Sequence, residues 1–340
     1  LSPPGDGAPG FIALTPAQTG ITFTNRLSAG TSLTNQIYLN GSGVAAGDVD
    51  GDGICDLYFC GLDVPNALYR GLGGGRFADI TAAAGVACAD QASTGAAFAD
   101  VDGDGDLDLL VNGLGRGTRL FLNDGRGRFV EVTASSGLRG GSGAVSLALA
   151  DVDGDGDLDL YVVNYRSTTM RDEPEKRFRV ATTNGVARLV AVDGRPADSP
   201  ELAGRFDLHP VAGLLENGEP DVLYLNDGAG RFTAVPWDGG AFLDEDGRPM
   251  AAPHDWGLAA MFRDVNGDGA PDLYVCNDFQ SPDRLWLKDG RGRFRAAPRA
   301  ALGQTSLFSM GVDFADVDRD GHDDFFVADM LSRDQRLRQV

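Results

Sequence analysis

One acidic nonapeptide returns five times and governs what this chain can fold into. It reads DVDGDGICD over Asp48–Asp56, and DVDGDGDLD over both Asp100–Asp108 and Asp151–Asp159. It reads DVNGDGAPD over Asp264–Asp272 and DVDRDGHDD over Asp316–Asp324. The copies start 52, 51, 113 and 52 residues apart. Self-similarity at a period near 50 means stacked structural repeats. A second motif alternates with the first: LYRGLGGGRF at Leu68, LFLNDGRGRF at Leu120, LYLNDGAGRF at Leu223 and LWLKDGRGRF at Leu285. Each is a short apolar strand, a Gly-rich turn and the start of another strand. A third motif, such as FADIT at Phe77 or FVEVT at Phe129, follows and ends on a glycine.

One repeat therefore predicts four short strands, for the first copy Gly43–Gly47, Leu57–Gly61, Asn66–Arg70 and Arg76–Thr81. No stretch between them is long enough for a crossover helix, which excludes parallel βαβ units. Radial stacking of four-stranded units makes a β-propeller. The runs after the last Asp, such as DLDLLV and DLDLYVV, are apolar on successive positions, as strands covered on both faces require. Composition agrees. The chain has 48 Gly, and its acids are 43 Asp against 7 Glu. Asp and Gly serve turns, whereas a helical protein takes its negative charge as Glu. A net charge of −21 excludes a nucleic-acid partner, and no apolar run approaches the length of a membrane span.

The expected architecture is all-β: a β-propeller of four-stranded blades, with calcium loops between first and second strands. A flexible leader covers residues 1–10, and the propeller covers 11–340. Blades fall at 42–93, 94–144, 145–257 with an insertion at 163–220, 258–307, and an incomplete 308–340. The insertion is preferred over a degenerate blade because it carries neither an acidic nonapeptide nor its own Gly-rich hairpin. The opening FIALT, followed by Gly20, matches the third motif, so residues 11–21 are expected to close the ring as an outer strand. Five metal-bearing blades are visible. The last stops soon after FFVADM without a second motif, which favours a longer, seven-bladed natural chain over closure at five with Ser332–Val340 as third strand.

The nonapeptide places oxygen ligands at positions 1, 3, 5 and 9, and a backbone carbonyl at position 7. In the first loop these are Asp48, Asp50, Asp52, the Ile54 carbonyl and Asp56. In the second they are Asp100, Asp102, Asp104, Asp106 and Asp108, and in the third Asp151, Asp153, Asp155, Asp157 and Asp159. The fourth has Asp264, Asn266, Asp268, Ala270 and Asp272. The fifth has Asp316, Asp318, Asp320, His322 and Asp324. Position 7 varies from Ile to His, which suits a backbone ligand. Calcium takes six to eight hard oxygen ligands, and short carboxylates on a tight loop supply them. An EF-hand is excluded, because its bidentate Glu at position 12 is replaced by Phe59, Val111, Val162, Val275 and Val327. Zinc lacks a Cys/His cluster. Magnesium demands stricter octahedral geometry. Solvated Asp-Gly turns without metal would leave four carboxylates repelling within nine residues. About five calcium ions are expected, in a structural role. Extracellular calcium modules work at about 10⁻⁴–10⁻³ M, which points to a secreted, periplasmic or cell-surface protein.

The loop D-x-D-G-D-G-x-x-D-L followed by LYLNDGxGxF resembles the FG-GAP/VCBS repeat family of calcium-binding β-propellers. DDFFVADMLSRD near the C-terminus and the FxxxTxxxxGI opening resemble bacterial proteins related to cartilage acidic protein 1. In those relatives the propeller often precedes an ASPIC/UnbV domain, which this sequence lacks. The resemblance implies an adhesion or interaction module. It carries the ligand roles onto the loop residues named above, with departures at Asn266 and at Arg319, which replaces a loop glycine.

Other residues carry less. His322 sits in a calcium loop and is expected in solvent, while His209 and His254 lie in irregular insertions. Arg166, Arg171, Arg177, Arg179, Arg188, Arg195 and Arg205 either pair with nearby acids or present an anion-binding patch. Trp237 and Trp256 either pack under the smaller insertion, 237–253, or stack on a sugar. Cys60 and Cys276 read as buried small hydrophobes, and Cys55 and Cys88 are a candidate pair. The functional expectation is an exported calcium-stabilised binding or scaffold module, with a protein or glycan ligand on the insertion-bearing face. The alternative is a polysaccharide-active lyase or hydrolase, which would need a cleft with Arg, His, Tyr or Asp away from the calcium loops.

Overall fold

The computed structural model of the protein describes residues 12–279 and 281–330. The 1–10 leader, Phe11 and the proposed strand Ser332–Val340 lie outside the described residues. The fold is all-β, with only single-turn or two-turn helices. Among the described residues no helix is long and apolar enough to cross a membrane.

The first sheet is Val44–Gly47, Asp56–Phe59, Ala67–Gly71 and Phe77–Asp79, paired antiparallel in chain order. The second is Ser93–Ala99, Asp108–Gly113, Gly117–Asn123 and Phe129–Glu131. The third is Ala144–Ala150, Asp159–Asn164, Val222–Asn226 and Phe232–Ala234. The fourth is Gly257–Arg263, Asp272–Asn277, Arg284–Lys288 and Phe294–Ala296, with Phe242–Leu243 added parallel at its outer edge. The last has two strands, Ser309–Ala315 and Asp324–Asp329. Register repeats. The residue after the last loop Asp faces an aromatic on the third strand: Leu57 with Tyr69, Leu109 with Phe121, Leu160 with Tyr224, and Leu273 with Trp286.

The sheets pack one upon the next, and the first strands of successive sheets lie side by side. Among the described residues no strand pairing joins the last sheet to the first. The core lies between sheets. Tyr58 and Leu68 of the first meet Leu109 and Phe121 of the second. Leu110 and Leu120 meet Leu160 and Tyr224. Tyr161 and Leu223 meet Leu273 and Trp286. Coverage on both faces explains the unbroken apolar runs: every residue of Asp108–Gly113, Asp159–Asn164 and Asp272–Asn277 is buried. Each large side chain so buried contributes about 1.5–3 kcal/mol.

The antiparallel order sorts the connections between two ends. The acidic loops and the Gly-rich hairpins share one end; the links from second to third strand and from fourth strand to the next sheet share the other. Residues 165–221 leave from that second end. They form a three-stranded sheet (Phe178–Thr183, Val186–Val192, Arg195–Pro196) and a hairpin (Phe206–His209, Gly213–Glu216) rather than a four-stranded unit. Buried and half-buried ion pairs hold the insertion down. Arg205 meets Glu216 at 2.8 Å and Glu173 at 3.0 Å, and Arg166 lies 3.7 Å from Glu216 and 3.8 Å from Glu219. Ile37, Tyr165 and Trp256 form a small core there, with Phe279 packed on it.

Strands in the third motif are shorter than the sequence suggests. Phe77–Asp79 gives way to a helical turn, Thr81–Ala84, capped by left-handed Gly85. At the opening, Ile12–Thr15 make no strand pairing among the described residues, and Pro16–Thr19 form a helical turn capped by left-handed Gly20. This turn docks on the first sheet as the 133–137 turn docks on the third. A Cβ on Gly20 would lie 2.3 Å from the Phe77 carbonyl oxygen, and one on Gly137 2.2 Å from that of Phe232. The Thr22 N–H donates to the Tyr69 hydroxyl as the Arg139 N–H donates to Tyr224.

Candidate metal centre

Each acidic loop is a tight turn organised by its first Asp. The Asp48 carboxylate accepts from the Asp52 and Gly53 amides at 3.1 and 2.8 Å. Asp100 and Asp151 accept from Gly103 and Gly105, and from Gly154 and Gly156. The sixth-position glycines are left-handed, with φ between 81° and 98° in all five loops. Glycine adopts this without the clash a side chain brings. At position 4, Arg319 takes φ 65°, the conformation its glycine counterparts adopt.

The turn gathers carboxylates. One oxygen each from Asp48, Asp50 and Asp56 lies within 4.8 Å of the others, as do those of Asp100, Asp102 and Asp108 and of Asp151, Asp153 and Asp159. In the fifth loop the gathered set is Asp316, Asp318 and Asp320, all exposed, without Asp324. The fourth loop forms no such set of three acids among the described residues, since Asn266 takes the third position. The position-5 carboxylates, Asp52, Asp104, Asp155, Asp268 and Asp320, accept the amide two residues on, at Ile54, Asp106, Asp157, Ala270 and His322. The Asp106 and Asp157 side chains lie against Gly125 and Gly228 of the neighbouring hairpins, where a Cβ would come within 2.4 Å.

The ninth Asp ties the loop to the sheet. Asp56 accepts from the Val49 N–H at 2.9 Å and from the Gly71 N–H of the third strand at 2.7 Å. Asp108 does the same with Val101 and Asn123, Asp159 with Val152 and Asn226, and Asp272 with Val265 and Lys288. These four are at most 1% exposed. Burial pushes the Asp108 and Asp159 carboxyls up to about 6, despite two backbone donors each; nearby loop carboxylates add to the rise. Asp56 and Asp272 are raised by the same causes. In the first loop Asp50 Oδ1 is buried without a hydrogen-bond partner. Crowded, partly desolvated carboxylates and an orphaned oxygen are the donor set a hard cation satisfies. Several of these Asp clusters can therefore hold a metal ion.

Sequence reasoning missed the bolts between sheets. Asn123 Nδ2 donates to the Val49 carbonyl of the preceding loop at 2.8 Å and to Leu107 at 3.0 Å. Asn226 donates likewise to Val101 and Leu158. The Asn of LNDG was their visible signal, and Gly71 and Lys288 stand at that position in the first and fourth sheets. It also missed a buried Tyr network at the other end: Tyr161 donates to Asp221 and Tyr274 to Asp283, while Asn66 donates to Tyr58.

The remaining candidates separate. Trp237 and Trp256 are buried, and Trp237 stacks on Phe242, so neither is a sugar platform. His322 and His209 are exposed. Cys60 and Cys276 are buried, and all four cysteines are free, so Cys55 and Cys88 do not pair. Arg166 and Arg205 are held by Glu; Arg171, Arg177, Arg179, Arg188 and Arg195 are exposed and in no ion pair among the described residues.

The FG-GAP-like repeat family matches residues 48–111, 100–162 and 264–327, together more than half the chain. Cartilage acidic protein 1 of Xenopus tropicalis is 31% identical over 98 residues, which is 28% of this chain and 15% of that protein. Among solved structures, an Agrocybe aegerita lectin that recognises non-reducing terminal N-acetylglucosamine aligns with 19% identity and a TM-score of 0.34, over 83% of this chain and 73% of that one. The V. cholerae biofilm matrix protein Bap1 aligns with 16% identity and a TM-score of 0.31, over 74% and 38%. The sequence motifs, the loop geometry and the extent of the family match agree: this chain belongs to the FG-GAP-like repeat family.

Proposed function

We propose that the chain is an exported β-propeller, stabilised by about five calcium ions, that acts as a binding or adhesion module. The ninth loop Asp carries the reading. It belongs at once to a metal-ready cluster and, through two backbone donors, to the sheet, so an ion there braces strands. The calcium ligands are the loop residues at positions 1, 3, 5 and 9, with the position-7 carbonyl. Asp264, Asn266, Asp268 and Asp272 bind with one charge fewer than the other loops. The docking of Gly20 and Thr22 on the first sheet supports the opening segment as the piece that closes the ring beside that sheet, through a helical turn at Pro16–Thr19 rather than a strand. The ligand, a protein or a glycan, is met on the insertion-bearing end, where loops vary without disturbing the strands.

A polysaccharide-active enzyme is favoured by one feature. A cavity of about 340 Å³ at that end is lined by His254, Asp207 and Asp255. Asp255 is already held by Arg284. That pairing weighs against it as a free acid or base.

Metal analysis and thermal melting with and without chelator test the proposal. About five calcium ions per chain and a large chelator-induced drop in Tm are expected. One ion or none, or an unchanged melt, refutes it.

A further inference from the structure

We propose that the hairpin Phe178–Val192 is an arm that docks an anionic polysaccharide through Arg179 and Arg188. The proposal rests on the binding-module reading and names the ligand class. In a chain with 50 acidic residues, this hairpin contains none. Its two arginines are exposed and make no ion pair among the described residues, although Arg166 and Arg205 of the same insertion are buried or half-buried in pairs with Glu173, Glu216 and Glu219. The arginines that the fold needs are therefore distinct from those that the hairpin displays.

The register sets Arg179 and Arg188 on one face. Ala181 is paired with Arg188, and Arg179 is two residues before Ala181 on the same strand, across a register shift that sets Arg179 opposite Ala191. In a regular ladder such diagonal neighbours stand about 7–8 Å apart; here a bulge adds twist between them, and the two long guanidinium side chains remain on one face where they can hold successive anionic groups of one polymer. The arm is stiff. Asn184 and Gly185, with φ 52° and 76°, make a two-residue turn suited to the twist of a hairpin. Phe178 anchors its base against Phe206, with ring centroids 5.1 Å apart. From Arg179 to Arg188 every residue is exposed. At about 3.4 Å per residue the strands run roughly 20 Å from Phe178 to the turn, with Arg179 beside the anchored base and Arg188 about midway.

The same features disfavour other occupants. A protein partner needs aromatic or large apolar anchors. The arm shows no exposed aromatic residue and only Val180 and Val186 as exposed large apolar side chains.

The test uses the full chain at saturating calcium on immobilised dextran sulfate and hyaluronate, with neutral dextran and single-stranded DNA alongside. Retention on at least one anionic polysaccharide, falling along a sodium chloride gradient, is expected. The double variant Arg179→Ser/Arg188→Ser should bind about tenfold more weakly or worse, as loss of charge-assisted contacts requires. It should keep the wild-type calcium-dependent melt. The control Arg248→Ser/Arg291→Ser should bind as wild type. Equal binding by wild type and the arm variant, no binding to either anionic glycan, or preference for DNA overturns the proposal. Failure of the module reading shows separately, as a melt indifferent to chelator.

Discussion

The Asp221 carboxylate offers a sharp test of how the buried network at the insertion end works. It accepts from the Tyr161 hydroxyl at 2.9 Å and from the Asn164 N–H at 2.7 Å. Burial pushes it up to about 7; those two donors and Arg284 oppose the rise, and Asp255 adds to it. The first sheet solves the same problem without a charge. Asn66 Oδ1 accepts from the Gly61 N–H, and its amide donates to Tyr58, whose hydroxyl passes on to the Val86 carbonyl. Asp221→Asn therefore moves one sheet's solution to another. With a folded value near 7 against 3.8, the ionised form is penalised by about 4 kcal/mol in the native state. The sign follows. Below pH 3.8 both states hold the proton and no penalty exists. As pH rises toward 7 the unfolded chain releases its proton first, so native stability falls, and above 7 the full penalty applies. The variant has no such titration. Tyr161 loses an acceptor in the exchange, a pH-independent cost of about 1–3 kcal/mol. The stability difference, variant minus wild type, should therefore rise by about 2–3 kcal/mol between pH 5 and pH 7.5 and then level off. Urea denaturation of both proteins at saturating calcium measures it, since loop titrations common to both cancel. A difference that stays flat with pH refutes the assignment.

Two further substitutions test the loops and the bolts. Arg319→Gly relieves a left-handed conformation and should stabilise the last loop by about 1 kcal/mol, read as a higher urea midpoint. Asn226→Ala removes the donor bonded to Val101 and Leu158, while Gly230 still donates to Val101. A loss of about 1–2 kcal/mol is expected, with the calcium stoichiometry unchanged. A lost ion would mean that the bolt shapes the loop rather than joining sheets.

Much of the fold was legible because its units repeat. In the first unit the observed strands fall within one or two residues of those read from the motifs, and the acidic turn lies between first and second strands. That the loops gather carboxylates able to hold a metal ion was legible for the same reason, since their spacing on a glycine turn brings them together. What escaped were contacts between units. Nothing local in LNDG says that its Asn reaches a carbonyl 74 residues away. Asp221 meets Tyr161 across a 60-residue separation that the insertion creates. The helical turn after each outer strand escaped because Thr-Ala-Ala-Ala at residue 81 is too short to show periodicity.

The two ends of the array obey different constraints, and this explains where novelty sits. At the acidic end a loop residue answers to three demands at once. Asp108 belongs to the carboxylate cluster, holds Val101 of its own loop and holds Asn123 of the third strand; Asn123 in turn grips the loop of the preceding sheet. A change there propagates through cluster, sheet and neighbour together. At the other end the connections answer only to closing a chain path, and lengthening such a loop costs little, about 0.6 kcal/mol per doubling. The third repeat used that freedom. It added residues 165–221, fastened them with Arg166, Arg205 and three glutamates, and left the Phe178–Val192 strands projecting. The fastening is as informative as the projection. Bringing charges out of water is costly unless they are paired, and here each buried or half-buried arginine meets glutamates. These pairs tie the segments on either side of an exposed, acid-free hairpin to each other, while the hairpin itself is anchored through Phe178 on Phe206.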